Sequence, residues 1–304
     1  MRRGRASWTA LEIARNVAGL GCDPLLAPLL PAGAGVTSER LLRALGLLPA
    51  WQMALARSRH VQRFGHRFGN WLGAHPAHIV LRKRFVDDEV RAALAAGTRQ
   101  VLVVGAGFDT LALRLAGAYP DRLFVEVDHP VTQASKRAGV VALGPPPADL
   151  HFVAADLARV TLGEVLATLA EWDRALPSAV VAEGLLFYLT PEAVEEFFRG
   201  VHALTGAGSR VIFTWLRAAD GVSDRGLRVR LSVAALILSI IGEPWLWLIP
   251  DETALQALLT RTGFAYHHDQ ARFDPFRRYV EPAGIDHRGW VLAPEQVAVA
   301  DRVA

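Results

Sequence analysis

Residues 101–110 read VLVVGAGFDT, and this stretch decides the fold. Its first four residues are apolar and three of them are β-branched, which is typical of a buried parallel strand. Gly105 and Gly107 follow, and because glycine has no Cβ, the main chain can pass close to a ligand there. Apolar residues at helical spacing begin at Leu111, so the turn leads into a helix whose free N–H groups favour an electron-rich ligand. The stretch predicts a nucleotide-type site, although an ordinary glycine-rich turn between strand and helix has the same pattern.

The composition limits the class of protein. With 304 residues and 52% hydrophobic residues, the chain can form one large α/β domain with an added helical part. Cys22 is the only cysteine, which excludes a disulfide framework and a cysteine-rich metal site and favours a cytoplasmic location. The formal charge is +3, and several arginines cluster at residues 57–67. Because no nucleic-acid-binding motif accompanies this cluster, we expect a solvated helix face and no nucleic-acid partner.

Two segments need to be compared with export and membrane signals. The N-terminus is basic, but Glu12 and Arg15 interrupt any apolar core, so we expect no secretion signal. Residues 231–248 read LSVAALILSIIGEPWLWL, and their uninterrupted part, 231–241, is too short to span a bilayer. We therefore predict no transmembrane segment. We interpret 231–248 as a buried helix or an apolar lid, with a weak contact with a membrane surface as the alternative.

The chain divides into a helical region and a region in which strands alternate with helices. Residues 1–80 have apolar residues at helical spacing, and we interpret them as a helical cap that contributes to the substrate site. From residue 81 onwards strands and helices alternate, which predicts a parallel sheet with helices on both faces. The predicted strands are residues 100–104, 123–127, 150–154, 179–182 and 210–215, with 264–269 and 289–292 as the last two. An insertion at about 217–250 follows the fifth strand, and 296–303 are predicted as a final helical or edge segment.

Carboxylates follow three of the predicted strands. Asp128 ends the second strand, Asp156 follows the third and Glu183 follows the fourth. Glu126, two residues before Asp128, is expected on the same face of its strand. Because ligands of open α/β sheets lie at the carboxyl ends of the strands, these side chains should meet beside the glycine turn. A row of acceptors suits a ligand rich in donors, such as ribose hydroxyls, an adenine amine and a charged amino group.

The glycine turn separates two classes of cofactor. A dinucleotide-binding turn requires a third glycine where this chain has Thr110, and Asp109 adds a negative charge where two phosphates would lie. The pattern therefore favours a cofactor without phosphates and with a positively charged amino-acid end. S-adenosylmethionine (SAM) has both properties, and we expect it to be the cofactor, with no metal ion.

Five stretches of the chain form a set that can be compared with known families. They read LRKRFVDDEVRAALAAGTRQVLVVGAGFDTLALRL (81–115), FVEVDHPVTQASKR (124–137), AADL (154–157), AEGLLFYL (182–189) and LLTRTGF (258–264). In this order and spacing they resemble the leucine carboxyl methyltransferase family of SAM-dependent enzymes, and in particular its bacterial small-molecule O-methyltransferase-like branch. The resemblance implies a Rossmann-like class I SAM-dependent methyltransferase fold. It also implies a SAM-binding domain over residues 81–304.

The resemblance implies how the methionine end of SAM would be held. Arg82 matches the arginine that binds its carboxylate, and Glu183 matches the glutamate near its amino group. Gly105 and Gly107 match the loop that passes under it, and Tyr188 matches an active-site tyrosine close to the transferred methyl group. Structural alternatives are an exposed helix arginine for Arg82, a buried partner of an arginine such as Arg114 for Glu183 and core packing for Tyr188.

The resemblance also assigns the nucleoside end of SAM. Asp128 matches the residue that holds the ribose hydroxyls, and Asp156 and Leu157 match the pair beside the adenine. The structural alternatives are a turn cap for Asp128 and a helix N-cap for Asp156. Relatives usually have an arginine where this chain has Leu111, whereas Arg114 is kept.

The methyl acceptor is the part that the sequence determines least. The insertion at 217–250 is apolar and contains Trp245 and Trp247, which favours a hydrophobic small molecule of secondary metabolism, such as a polyketide-type or prenylated compound. One alternative is the methylation of a C-terminal carboxylate of a protein or peptide. The other is a protein that binds SAM without methyl transfer or uses it for other chemistry. The sequence leaves open the accepting atom, any general base and the oligomeric state.

Overall fold

The computed structural model describes residues 7–72, 75–218, 225–267, 274–290, 292 and 295–303. The strands are β1 (Gln100–Val104), β2 (Leu123–Asp128), β3 (Leu150–Ala154), β4 (Ser178–Ala182), β5 (Arg210–Leu216), β6 (Phe264–Tyr266) and β7 (Glu295–Arg302). They form one sheet in the order β3-β2-β1-β4-β5-β7-β6. The first five strands are parallel, whereas β7 is antiparallel to β5 and β6. The predicted α/β class and the seven-stranded, mostly parallel sheet are confirmed.

Helices precede the sheet and connect its strands. They are α1 (Trp8–Leu20), α2 (Ala34–Ala44), α3 (Ala50–Ala56), α4 (Arg59–Leu72), α5 (Ala77–Ala95), α6 (Leu111–Ala118), α7 (Pro130–Leu143), α8 (Leu162–Leu166), α9 (Pro191–Leu204), α10 (Arg225–Ile241) and α11 (Glu252–Arg261). The predicted helical character of the N-terminal region is confirmed where the structure describes it. The division into residues 1–80 and 81–304 stays a prediction, and α5 runs across that boundary.

The central strand β1 is buried on both faces. Val101 and Val103 pack on the side of α5 and α6, whereas Leu102 and Val104 pack on the side of α8, α9 and α11. This two-sided burial explains why the sequence of β1 is apolar throughout rather than alternating. The strand order reverses between β1 and β4, so the loops that follow these two strands meet at the edge where α/β proteins bind ligands.

Two predictions for the C-terminal part are wrong. The described residues of the segment 289–292, namely 289–290 and 292, are not in a strand. The remaining strand is β7, which lies between β5 and β6 instead of forming an edge or a helix. Because β7 consists largely of valine and alanine, its sequence shows little difference in polarity between its two faces. The strand is therefore recognised only from its pairing with β5 and β6. β6 is also shorter than the predicted 264–269, of which 268–269 lie outside the described ranges.

The apolar insertion after β5 differs from the prediction of a buried helix. Val229, Val233 and Leu236 of α10 are 58%, 51% and 62% exposed. Their spacing places them along one side of the helix. The interpretation of 231–248 as a buried helix is therefore wrong for Val233 and Leu236, and the interpretation as a lid stays a prediction. No helix in the described parts of the chain is long and apolar enough to cross a membrane.

Candidate active site

The glycine turn after β1 requires glycine at two positions. Gly105 and Gly107 have φ angles of 71° and 51°, which side chains rarely adopt. A Cβ on Gly105 would lie 2.9 Å from Cδ1 of Leu185, and one on Gly107 would lie 2.9 Å from Cβ of Ala10. Gly105 N–H donates to the carbonyl of Val127 over 2.8 Å, which fixes the turn against β2. The turn is thus closely packed between the loop after β4 and helix α1.

Phe108 joins this turn to the N-terminal helices. Its side chain is buried in a separate apolar cluster with Ala14, Ala18, Leu42 and Met53. No sequence pattern indicates this packing, because the neighbours of Phe108 lie on helices far away in the sequence. This contact places the N-terminal cap directly over the glycine turn.

Asp128 lies at the carboxyl end of β2 and supports the same turn. Its two carboxylate oxygens accept hydrogen bonds from Gly107 N–H over 2.6 Å and from His129 N–H over 2.7 Å. Burial raises the pKa of Asp128, and the two hydrogen bonds counteract part of that increase. The turn-capping alternative is therefore correct as a description of the geometry. The predicted role in holding ribose hydroxyls stays a prediction, and a carboxylate can serve both purposes because each oxygen has two lone pairs.

Asp156 and Leu157 follow β3 at the same edge. Asp156 accepts a hydrogen bond from Ala158 N–H over 3.2 Å and does not cap the next helix. That function belongs to Thr161, which forms a capping box with Glu164 at the start of α8. Leu157 packs partly against the core on the α8 side. The helix-cap alternative for Asp156 is therefore wrong, and the predicted position beside adenine remains a prediction.

Arg82 is buried between two carboxylates. Its Nε donates to Oε1 of Glu183 over 2.8 Å, and its Nη1 donates to Oε2 of Glu295. Lys83 Nζ also lies 3.0 Å from Oε1 of Glu183. Burial raises the pKa of Glu295, but Arg82 and His78 outweigh this effect and lower the pKa to about 2. The alternative of an exposed helix arginine is wrong for Arg82.

Glu295 is a site residue that the sequence patterns did not indicate. It begins β7, and the pairing of Leu216 with Glu295 brings it beside the carboxyl end of β5. The signal that could have identified it is a carboxylate at a strand start opposite the end of β5, but this requires knowing that β7 is antiparallel. The second oxygen of Glu183, Oε2, is buried and has no hydrogen-bond partner among the residues that the structure describes. This acceptor suits a donor such as the amino group of SAM.

Asp109 is neutralised in the structure. Its Oδ2 lies 2.6 Å from Nζ of Lys83, and its Oδ1 accepts hydrogen bonds from the N–H groups of Thr110 and Leu111 at the start of α6. Burial raises its pKa, but Lys83, Lys136 and Arg114 together outweigh burial and lower the pKa well below the usual range. The negative charge of Asp109 is therefore a weaker argument against phosphates than the sequence suggests, and the absence of a third glycine carries that argument.

Glu126 is not part of the ligand-binding edge. Its carboxylate is fully buried and lies 2.6 Å from Nζ of Lys136 on α7. Burial raises the pKa of Glu126 to about 7, against the opposing effect of Lys136. The expectation that Glu126 accompanies Asp128 at the site is wrong, because β2 is covered by α7 on that face.

Tyr188 interacts with Thr9 of α1 and with Glu243 of the insertion, where these two parts of the chain meet. Glu243 accepts hydrogen bonds from Ser7 Oγ over 3.0 Å and from Trp8 N–H over 3.1 Å, and further bonds come from Thr9. The carboxylate thus caps the N-terminus of α1. Burial raises the pKa of Tyr188 to about 12, with Glu243 and Glu295 adding to the shift and a hydrogen bond with Thr9 opposing it. The hydroxyl of Tyr188 is therefore protonated at neutral pH.

A second polar network fastens α4 to the start of α5. His66 Nε2 lies 2.8 Å from Oδ2 of Asp23, and its Nδ1 lies 3.3 Å from Nε2 of His75. His75 Nδ1 accepts from Ala77 N–H over 3.2 Å, and its ring stacks on Trp290. All four ring nitrogens are used within the network when both imidazoles are neutral. The network is structural, and it is a poor source of a general base.

We expect the stability of the protein to fall as the pH drops from about 6.5 to about 4. Burial lowers the pKa of His75 to about 4, with His66 adding to the shift. The unfolded chain therefore binds more protons than the folded chain between these values, and folding loses about 1–2 kcal/mol. Urea unfolding across this range should show a smaller loss in His75→Asn than in the unchanged protein. His60→Asn, at an exposed position, should behave like the unchanged protein, and an identical pH dependence in all three would contradict the assignment to His75.

Comparison with known proteins agrees with this architecture. Residues 4–202 match the family model described as leucine carboxyl methyltransferase. A candidate S-adenosyl-L-methionine-dependent methyltransferase of Mycolicibacterium paratuberculosis is 31% identical over 290 residues, covering 88% of this chain and 88% of that protein. A protein of the same description from Parafrankia sp. (strain EAN1pec) is 36% identical over 214 residues, covering 69% of this chain. The matches with the Parafrankia protein and two mycobacterial proteins span 66%, 55% and 55% of those relatives' lengths.

Solved structures share the fold. A DUF574 family protein from Streptomyces avermitilis has a TM-score of 0.56 at 16% identity, covering 87% of this chain and 97% of that one. A candidate methyltransferase from Thermobifida fusca has a TM-score of 0.51 at 20% identity, covering 92% and 98%. These likenesses concern the fold, whereas the family match rests on the sequence itself. The chain belongs to the leucine carboxyl methyltransferase family of SAM-dependent methyltransferases.

Proposed function

We propose that the protein transfers the methyl group of SAM to an oxygen atom of a hydrophobic small molecule. The observation that carries this proposal is an aromatic group beside the carboxylate cluster. Phe187 and Tyr188 have ring centroids 4.7 Å apart, and Trp245 packs edge-on against Phe187 at 6.3 Å. The N–H groups of Leu246 and Trp247 donate to the carbonyl of Phe187, so the end of the insertion is fixed against the loop after β4. Such a group of aromatic side chains is typical of sites for apolar ligands.

The residues at the strand ends fit SAM. Glu183 has a buried oxygen without a hydrogen-bond partner in the described part of the chain, and Arg82 holds the other oxygen in place, so this carboxylate would accept from the amino group. Arg82 would also attract the SAM carboxylate. Asp128 would accept from the ribose, with Asp156 and Leu157 beside the adenine. When bound, SAM supplies a methyl group on a positively charged sulfur, and transfer to the acceptor requires alignment more than an activated catalyst.

Tyr188 is proposed to position the acceptor. Because its hydroxyl stays protonated, it can donate a hydrogen bond to an acceptor oxygen but is unsuited to remove a proton. Replacing Tyr188 by phenylalanine should lower kcat about tenfold, as expected for the loss of one hydrogen bond to the reacting group. The dissociation constant of S-adenosylhomocysteine should stay within about twofold. Tyr266→Phe, which lies on β6 away from the site, is the matched control, and equal kcat values in both variants would contradict the assignment.

Methyl transfer to a panel of acceptors tests the proposal. Radiolabelled SAM is incubated with apolar phenols, apolar carboxylic acids and peptides that end in a free carboxylate. We expect label only in apolar small molecules, stable to mild base in an ether and labile in an ester. Labelling of peptides alone would support the carboxyl methyltransferase alternative and overturn the proposed acceptor. Binding of S-adenosylhomocysteine without turnover on any acceptor would support the alternative without methyl transfer. The proposal includes a role in secondary metabolism and a cytoplasmic location.

A further inference from the structure

Helix α4 faces the protein with its polar side. Gln62 Nε2 donates to the carbonyls of Cys22 over 3.1 Å and Ala56 over 2.8 Å. One turn later, His66 bonds Asp23, as described above. In an ordinary surface helix the inward side is apolar. The described part of α4 is instead fastened by side-chain hydrogen bonds.

The apolar residues of α4 point into solvent. Val61, Phe64 and Phe68 are 39%, 55% and 39% exposed, and their spacing of three and four residues forms a line along the helix. Leaving these side chains in water is unfavourable, since each would gain by burial. An exposed apolar line of this kind indicates a surface that is covered in use.

Three arginines run beside that line. Arg59, Arg63 and Arg67 are exposed and follow one another at a spacing of four residues. None of the three forms an ion pair with a described carboxylate, and Arg67 lies over the ring of Phe68 at 5.9 Å. In a helix the two rows are adjacent, so the exposed side of α4 is half basic and half apolar. We call these six residues the basic-aromatic face of α4.

We propose that the basic-aromatic face of α4 binds the surface of a bilayer that contains anionic phospholipids. The arginines would contact the phosphate and carboxylate groups of the lipids, and Phe64, Phe68 and Val61 would enter the boundary between headgroups and acyl chains. A helix with a basic side and an apolar side of this composition is suited to lie in the plane of the interface. This docking does not depend on the proposed methyl acceptor.

Two other partners fit the face less well. Single-stranded nucleic acid would need open aromatic surfaces for base stacking, but Phe64 and Phe68 pack on each other at 4.7 Å and Arg67 lies over Phe68. A duplex, which is bound through its phosphates, would leave the apolar row uncovered. A second copy of the chain related by two-fold symmetry would bring the same arginines opposite one another. The bilayer satisfies the apolar row and the basic row at once.

Co-sedimentation of the full-length protein with lipid vesicles tests the proposal. Vesicles of phosphatidylcholine alone are compared with vesicles that contain about 30% phosphatidylserine, at about 0.1 M salt. We expect binding to the anionic vesicles, weaker binding at higher salt and little binding to the neutral vesicles. The triple variant R59Q/R63Q/R67Q and the double variant F64S/F68S should each bind the anionic vesicles at least about tenfold more weakly.

Matched controls separate this face from general effects. R99Q/R137Q/R174Q removes the same charge from exposed arginines elsewhere and should bind as the unchanged protein does. V233S/L236S removes two apolar side chains from the exposed side of α10 and should also bind as the unchanged protein does. Circular dichroism confirms that each variant is folded.

Four results would each overturn the proposal. The first is no binding to anionic vesicles, and the second is equal weakening by the control triple variant. The third is loss of binding only in the α10 variant. The fourth is binding of another partner at this face without any vesicle binding. It would be seen either as tight binding of duplex or single-stranded nucleic acid, or as a dimer that F64S/F68S dissociates.

Discussion

Replacing Asp128 by alanine is expected to weaken the binding of S-adenosylhomocysteine about 100-fold. The carboxylate supports the glycine turn through Gly107 N–H and is proposed to accept from the ribose hydroxyls. Hydrogen bonds to an ionised group contribute about 1.5–3 kcal/mol each. The variant loses both the bond to the glycine turn and the proposed bonds to the ribose. Isothermal titration calorimetry measures the dissociation constant directly.

Two further variants make this result specific. Asp128→Asn keeps one acceptor oxygen and the shape of the side chain, so it should lose about tenfold. Asp121→Ala removes an exposed carboxylate from the loop before β2 and should leave the affinity unchanged. Thermal unfolding must show that Asp128→Ala is folded. An unchanged affinity in folded Asp128→Ala would remove the ribose assignment.

The positions of the strand-end residues could be predicted because they depend on local sequence. Each of Asp128, Asp156 and Glu183 directly ends or follows a parallel strand, and parallel strands present their carboxyl ends at one edge. The glycine turn is local in the same sense, since two glycines with positive φ follow a buried strand without interruption. Pattern and topology together therefore predict that these groups lie at one edge of the sheet.

The partners of these residues could not be predicted because they come from distant parts of the chain. Arg82 is separated by 101 residues from Glu183 and by 213 residues from Glu295. No short-range pattern specifies such pairs, and an arginine next to a lysine on a helix gives no indication of which carboxylates it will meet. The same applies to Glu126, which the strand period places on the correct face but which α7 then covers.

The exposed apolar surfaces were missed for a related reason. Sequence periodicity identifies an apolar side of a helix but not whether protein or solvent lies against it. In α10 and α4 the apolar side is exposed, whereas the general expectation is burial. For α4 the inward side is decided by Gln62 and His66, whose partners are Ala56 at the end of α3 and Cys22 and Asp23 in the loop after α1.

Two contacts join the N-terminal helices to other parts of the chain near the proposed site. Phe108 anchors the N-terminal helices to the glycine turn, and Glu243 ties the end of the insertion to α1. Phe108 joins the proposed substrate region to the glycine turn, and Glu243 joins two parts of that region, so cofactor binding and acceptor binding should be coupled. Tyr188 lies at this junction, which is the physical reason for assigning it to the acceptor.

Replacing Arg82 by methionine is expected to destabilise the folded protein by about 3–5 kcal/mol at neutral pH. Methionine is an unbranched, uncharged side chain that fills the space of the arginine stem, so the main effect is that Glu183 and Glu295 lose the charge between them. Lys83 still lies 3.0 Å from Glu183, but among the described residues Glu295 keeps only His78, at 3.5 Å, and a hydrogen bond with Thr214. The free energy of unfolding is measured by urea titration. Arg82→Lys, which keeps the charge without the two-pronged geometry, should lose less, and R82M/E295Q should recover part of the loss of Arg82→Met.

The pH dependence of this loss distinguishes a buried charge from a packing defect. In the unchanged protein the pKa of Glu295 is lowered to about 2, so its ionised form stabilises the fold above the unfolded pKa of 4.5, and that stability is lost as the pH falls through about 2. Without Arg82, burial dominates and raises the pKa of Glu295 above the unfolded value, so the carboxyl destabilises the fold as the pH rises. The difference in unfolding free energy between Arg82→Met and the unchanged protein should therefore be smaller near about pH 5 than near about pH 7.5. A simple cavity would give the same difference at both pH values, because packing energies do not titrate, and that result would remove the electrostatic explanation for the burial of Arg82.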